Sequence, residues 1–81
     1  MGIIKFEHTD TFGGESNYSW VRREEHEIDE SKKPLSDRAI VRRAKAFAGF
    51  TGRASRVENC GDFIAIWPRG LCQVCFVTFE Y

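Results

Sequence analysis

Cys72 and Cys75 have the spacing that most readily suggests chemistry in this chain, because a CxxC pair can hold half of a zinc site or cycle as a dithiol. A zinc site needs a second pair, and only Cys60, His8 and His26 remain, none of them in a ligand-like doublet. A redox pair sits at a strand-to-helix turn, whereas "LCQVCFVTF" reads as a strand, on which positions 72 and 75 point to opposite faces. We therefore expect buried structural thiols and no metal or cofactor. Gly13-Gly14 invite comparison with a phosphate loop, but they lack the lysine and following helix of a P-loop and the spacing of a dinucleotide fingerprint. Glu15 beside them would repel a phosphate, so they read as a turn. His8 and His26 can pair across a first hairpin with acidic residues near. No nucleophile, base and orienter are evident, and we expect no enzyme.

The basic segment is a stronger signal. From Arg38 to Arg56 the chain has six basic residues (Arg38, Arg42, Arg43, Lys45, Arg53 and Arg56) and no acidic one. On a helix, Arg38, Arg42 and Lys45 follow i, i+4, i+7 and share one exposed stripe. No carboxylate at i±3 or i±4 within the helix body is available to pair with them. Such a stripe can contact phosphates or an acidic protein surface, or be an ordinary solvated face met by "EEHEIDE". In "YSWVRR", strand alternation puts Tyr18, Trp20 and Arg22 on one face and Ser19, Val21 and Arg23 on the other. Aromatics interleaved with arginine can stack on unpaired bases; core burial is the expected place for Trp20.

These residues need elements to hold them. "GIIKFEHTDTF" alternates as a strand, with Ile4, Phe6 and His8 on one face. "GGESN" turns the chain, and "YSWVRREEHEI" pairs back as a hairpin. "DESKKP" is a loop. The helix is best defined: Ser36 is an N-cap, Asp37 suits the positive helix end, and Leu35 with Ile40 has the spacing of a hydrophobic staple. Ile40, Val41, Ala44, Phe47 and Ala48 form its buried stripe, and Gly49 or Gly52 can end it. Two or three strands follow, with turns at "NCGD" and "PRG" and central strands at "DFIAIW" and "LCQVCFVTF". An exposed edge at "CQVCFVTFEY" would permit dimerisation by sheet extension.

The expected fold is one α+β domain over residues 1–81. It has an antiparallel sheet of four or five strands, one helix from Ser36 to about Phe50 on one face, and the order ββαβββ, or ββαββ if "GRASRV" stays irregular. Eighty-one residues, 42% of them hydrophobic, allow one core and exclude a largely disordered chain. Net charge is zero but unevenly spread. Residues 1–30 carry three basic and eight acidic side chains, and residues 31–81 carry nine and four, so a fold that kept the halves apart would be strongly dipolar. The odd cysteine count, the charged opening and the short apolar runs point to a cytoplasmic protein without a membrane span.

"TFGGESNYSWVRR", "AIVRRAKAFAGFTG" and "GDFIAIWPRGLCQVCFV" resemble small phage and prophage proteins of a family that includes anti-CRISPR proteins. The resemblance runs from Thr11 to Val77. It implies a non-enzymatic inhibitor whose partner is a type I CRISPR–Cas effector complex, acting by blocking target DNA binding or recruitment. It carries over no binding residues. The residues themselves nominate Arg38, Arg42, Arg43, Lys45, Arg53 and Arg56 for partner binding, or the acidic run Glu24 to Glu30. The same basic residues, with Tyr18 or Trp20 stacking, would serve a small nucleic-acid-binding module instead.

Overall fold

The computed structural model describes residues 2–28 and 36–80. Its elements are β1 (Gly2–Phe12), β2 (Glu15–Ile28), α1 (Asp37–Ala48), β3 (Ser55–Asn59), β4 (Phe63–Pro68) and β5 (Gln73–Glu80). They form one α+β fold, a five-stranded sheet in the order β2-β1-β5-β4-β3 with every pairing antiparallel. The first and last strands therefore pair in the middle. The chain leaves the sheet at one edge and re-enters at the other, and α1 packs against the central strands β1 and β5. In this order β2 and β1, from the acidic half of the chain, lie side by side, and β5, β4 and β3, from the basic half, lie together beyond them. The sheet therefore keeps the two halves apart, and they meet only at the β1–β5 seam.

The strands β1 and β5 follow their sequence pattern. Along β1, Ile4, Phe6 and His8 face α1 and are buried. On β5, residues of both faces are shielded: Val74 on the side away from α1, and Cys75 and Val77 beneath it, are all fully buried. A strand apolar on both faces belongs inside a sheet, and here β5 pairs with β1 and β4. The exposed edge expected at residues 72–81 is thus corrected: the outer strands are β2 and β3.

Gly13 and Gly14 have φ of 64° and 84°, the consecutive left-handed pair of a tight two-residue hairpin turn. The turn is shorter than "GGESN", for Glu15 already pairs with Phe12. The Ser36 hydroxyl accepts the Ala39 amide at 3.2 Å, and Gly49 ends α1 with a φ of 81°. That reversal lets Phe50 fold inward, where it is fully buried, so the helix stops at Ala48 rather than near Phe50. The expected loop at 29–34 and the staple residue Leu35 lie outside the described residues. Ile40, Ala44 and Ala48 are buried against Phe6, Ile64, Ile66 and Val77, with Val41 and Phe47 half-buried beside them. The alanines keep α1 close to the sheet, where the Cys75 thiol lies 3.9 Å from the Ala44 carbonyl.

Candidate binding surfaces

The six basic residues nominated by sequence divide among three places. Arg38, Arg42 and Arg43 are exposed on the outer surface of α1. Among the described residues no carboxylate lies within bonding distance of any of them. Lys45 does not extend that surface as a free charge: it is half-buried, and its Nζ donates to the Arg53 carbonyl at 2.7 Å. Arg53 belongs to the loop after α1, and its Nη1 donates to the Arg69 carbonyl at 3.1 Å. Arg56 lies on the sheet face away from α1, its guanidinium 5.5 Å from the Trp67 ring centre and 2.9 Å from the Glu58 carboxylate. The expected stripe of Arg38, Arg42 and Lys45 is thus corrected at Lys45, which is drawn to the Arg53 carbonyl. Helical spacing could not show where Arg53 and Arg56 fall, because the chain reverses at Gly49.

The uncovered face carries a row of aromatic rings. Phe63 and Trp67 each meet Phe76 edge-on, at 6.0 and 6.3 Å, a favourable geometry for aromatic pairs. The alternation of "FIAIW" and "VCFVTF" carried the signal for this row, because Phe63, Ala65 and Trp67 fall on one side of β4. Trp67 Nε1 is buried without a hydrogen-bond partner.

Beside this row, β2 departs from simple alternation. Thr9 pairs with Val21 but Thr11 with Ser16, so Asp10 alone stands opposite four residues, 17–20. The Asp10 carboxylate organises the bulge. It accepts from Asn17 Nδ2 at 3.0 Å, the Ser19 amide at 2.9 Å and the Ser19 hydroxyl at 2.6 Å. Those donors, the Ser19 hydroxyl foremost, hold its carboxyl well down, at about 2. Tyr18 has a φ of 56°, a left-handed conformation costly for a residue with a Cβ. Its hydroxyl donates to Glu7 Oε1 at 2.7 Å, and Arg23 Nε donates to Oε2 of the same carboxylate at 3.0 Å.

The bulge overturns the expectation that Tyr18 and Trp20 share a face. Tyr18 reaches Glu7 on the uncovered face, while the Trp20 ring lies edge-on to His8, 4.7 Å between centres, on the α1 side. Nor is Trp20 a core residue, for it is 39% exposed. Arg22 and Arg23 do lie on opposite faces: Arg22 sits over Phe47 at 5.2 Å and Arg23 binds Glu7.

The histidines do not pair across the hairpin. His8 faces Arg22 and His26 faces Ile4 in the β1–β2 register. His8 is buried among Trp20, Phe47 and Phe50, with Nε2 2.8 Å from Gln73 Oε1 and Nδ1 lacking a partner. Burial lowers its pKa, the Gln73 bond opposes this, and Arg22 adds to the lowering. Of the thiols, Cys75 is buried as expected and pushed up to about 12, mainly by burial. Cys72 is exposed, which corrects the expectation that both members of the CxxC are buried: it precedes β5 in the turn. Among the described residues no group of three or more His, Cys, Asp or Glu could hold a metal ion. No helix among them is long and apolar enough to cross a membrane.

No family model matches this chain, and no curated protein or solved structure is significantly similar to it.

Proposed function

We propose that this chain is a non-enzymatic interaction protein that docks through the outer surface of α1. In the form that the resemblance of its sequence implies, it is an anti-CRISPR inhibitor of phage or mobile-element origin, acting in the host cytoplasm. Its partner is a type I CRISPR–Cas effector complex, and the bound domain blocks target DNA binding or recruitment. The observation that carries the reading is the exposed set Arg38, Arg42 and Arg43, with no carboxylate bonded to it among the described residues. Arginine side chains left unpaired on a rigid helix are poised for charge-assisted hydrogen bonds to a partner. The opposite side of the same helix is fixed in the core, so docking requires no rearrangement of the fold.

The test is co-purification of tagged protein with effector complexes from CRISPR-bearing hosts, paired with protection of a targeted phage. Reversing Arg38, Arg42 and Arg43 to Glu should abolish both while leaving the circular dichroism spectrum unchanged. No complex and no protection across type I systems would overturn the reading. A second reading, a nucleic-acid-binding module, is favoured by the Arg56 guanidinium over Trp67 in the aromatic row. It requires that the purified protein bind oligonucleotides alone, with affinity falling steeply as salt rises.

A further inference from the structure

The loop after α1 and the turn between β4 and β5 meet at one end of the sheet, tied by side chain and backbone. Arg53 Nη1 donates to the Arg69 carbonyl at 3.1 Å, and the Arg69 amide donates to the Ala54 carbonyl at 2.9 Å. Lys45 joins the same loop through its bond to the Arg53 carbonyl. Gly70 carries the turn past Arg53 with a φ of 78°, a left-handed conformation that favours glycine. Between loop and turn lies a shallow, widely open depression of about 450 Å³, lined by Gly49, Thr51, Gly52, Arg53, Ala54 and Arg69.

No acidic residue lines the depression, and among the described residues no carboxylate bonds to Arg53, Arg69 or Lys45. Gathering cations without a counter-charge is unfavourable by itself, and the cost falls when an anion occupies the concavity. Arg53 spends one N–H on its tie and keeps the rest of its five for a ligand. Its remaining tie to the turn limits the rotamer freedom lost on binding.

We infer that this depression is a phosphate-binding site in which Arg53 and Arg69 supply the positive charge and Thr51 a hydroxyl. Planar guanidinium groups match the oxygens of a phosphate two at a time. An open depression suits either a free phosphate group or a phosphodiester running across it. The site is separate from the outer surface of α1 and does not depend on an effector-complex partner.

The experiment is a titration of the ¹⁵N-labelled full chain, followed by amide shifts at constant ionic strength. It uses inorganic phosphate first and a short oligothymidylate second. Saturable shifts confined to residues 51–54, 69 and 70 are expected. Arg69→Ala, which leaves the backbone ties of residue 69 in place, should weaken binding by roughly tenfold or more. Arg69→Lys should restore part of it. Saturation by inorganic phosphate shows that the free group suffices; saturation by oligothymidylate alone, still sensitive to Arg69→Ala, identifies the nucleic-acid backbone as the source. The proposal falls if neither probe saturates those amides, or if Arg69→Ala binds as well as the original chain. Because the Arg38, Arg42 and Arg43 reversals should leave these shifts unchanged, failure here and failure of the α1 reading are distinguishable.

Discussion

The Asp10 carboxylate gathers the bulge around one exposed anion, and its bonds make the first hairpin sensitive to acid. Its pKa in the fold, about 2, lies below the ordinary 3.8, so the unfolded chain binds the proton more readily between those values. Its contribution is therefore complete above about 3.8 and lost as pH falls through about 2. Asp10→Asn should lower the urea midpoint at neutral pH and flatten the acid limb in that window, with Trp20 emission as the local probe. An unchanged acid limb would mean that the bulge stands without this carboxylate. His8 acts at higher pH with the same sign. Burial lowers its pKa below 6.5, so its stabilisation is present above 6.5 and lost as pH falls through the lowered value. Charged or polar groups reach it from β2 as Arg22 and from β5 as Gln73, while α1 and the segment after it present only Phe47 and Phe50. His8→Phe should remove this upper step and leave the Asp10 step in place, as read by urea midpoints across pH. The burial of His8 was legible, because it shares the period-two face of Ile4 and Phe6. The arrangement of Tyr18 and Trp20 was not, since a bulge breaks that period and no residue in "NYSW" demands a left-handed φ.

At the scale of the element, α1 shows how much local pattern can establish. Ser36 and the apolar stripe defined its start and buried face, because capping and periodicity are short-range effects, while its end stayed open between Gly49 and Gly52 until the structure placed it at Gly49. Its distance from the sheet also follows from Ala44 and Ala48. Ala44 is fully buried, with its carbonyl beside the Cys75 thiol, and leaves no space for a longer side chain. Ala44→Leu should cost about 1–3 kcal/mol through overpacking, measured as a fall in the urea midpoint. Ala46→Leu, on the exposed side of the same helix, should stay within about 0.5 kcal/mol of the original. Equal effects at the two sites would mean that α1 does not seat closely on β5. What the helix pattern could not convey is the fate of Lys45, Arg53 and Arg56. Their positions depend on where the chain goes after Gly49, and so on pairings with residues far along the sequence.

Those distant pairings define the whole molecule. Apolar content marked β4 and β5 as interior strands, but the β1–β5 pairing, between segments more than sixty positions apart, has no local signature. It makes β5 a clasp between the two hairpin-forming halves of the sheet: with β1 on one side and β4 on the other, Cys75 cannot be reached unless the centre opens. Cys60 and Cys72 lie outside the strands and are exposed, and all three thiols are free. A thiol reagent should therefore modify two cysteines of the native protein rapidly and the third only slowly. Reaction requires the thiolate, and Cys75 is both inaccessible and, at about 12, protonated at neutral pH. In denaturant all three should react at similar rates. Where closing outpaces modification, the slow rate should track the population of the opened sheet. Ala44→Leu, which destabilises the packing directly over Cys75, should then accelerate the third reaction in proportion to its loss of stability. Rapid modification of all three thiols under native conditions would mean that β5 separates from β1 or β4 by local opening, and that the two halves of the sheet do not behave as one cooperative unit.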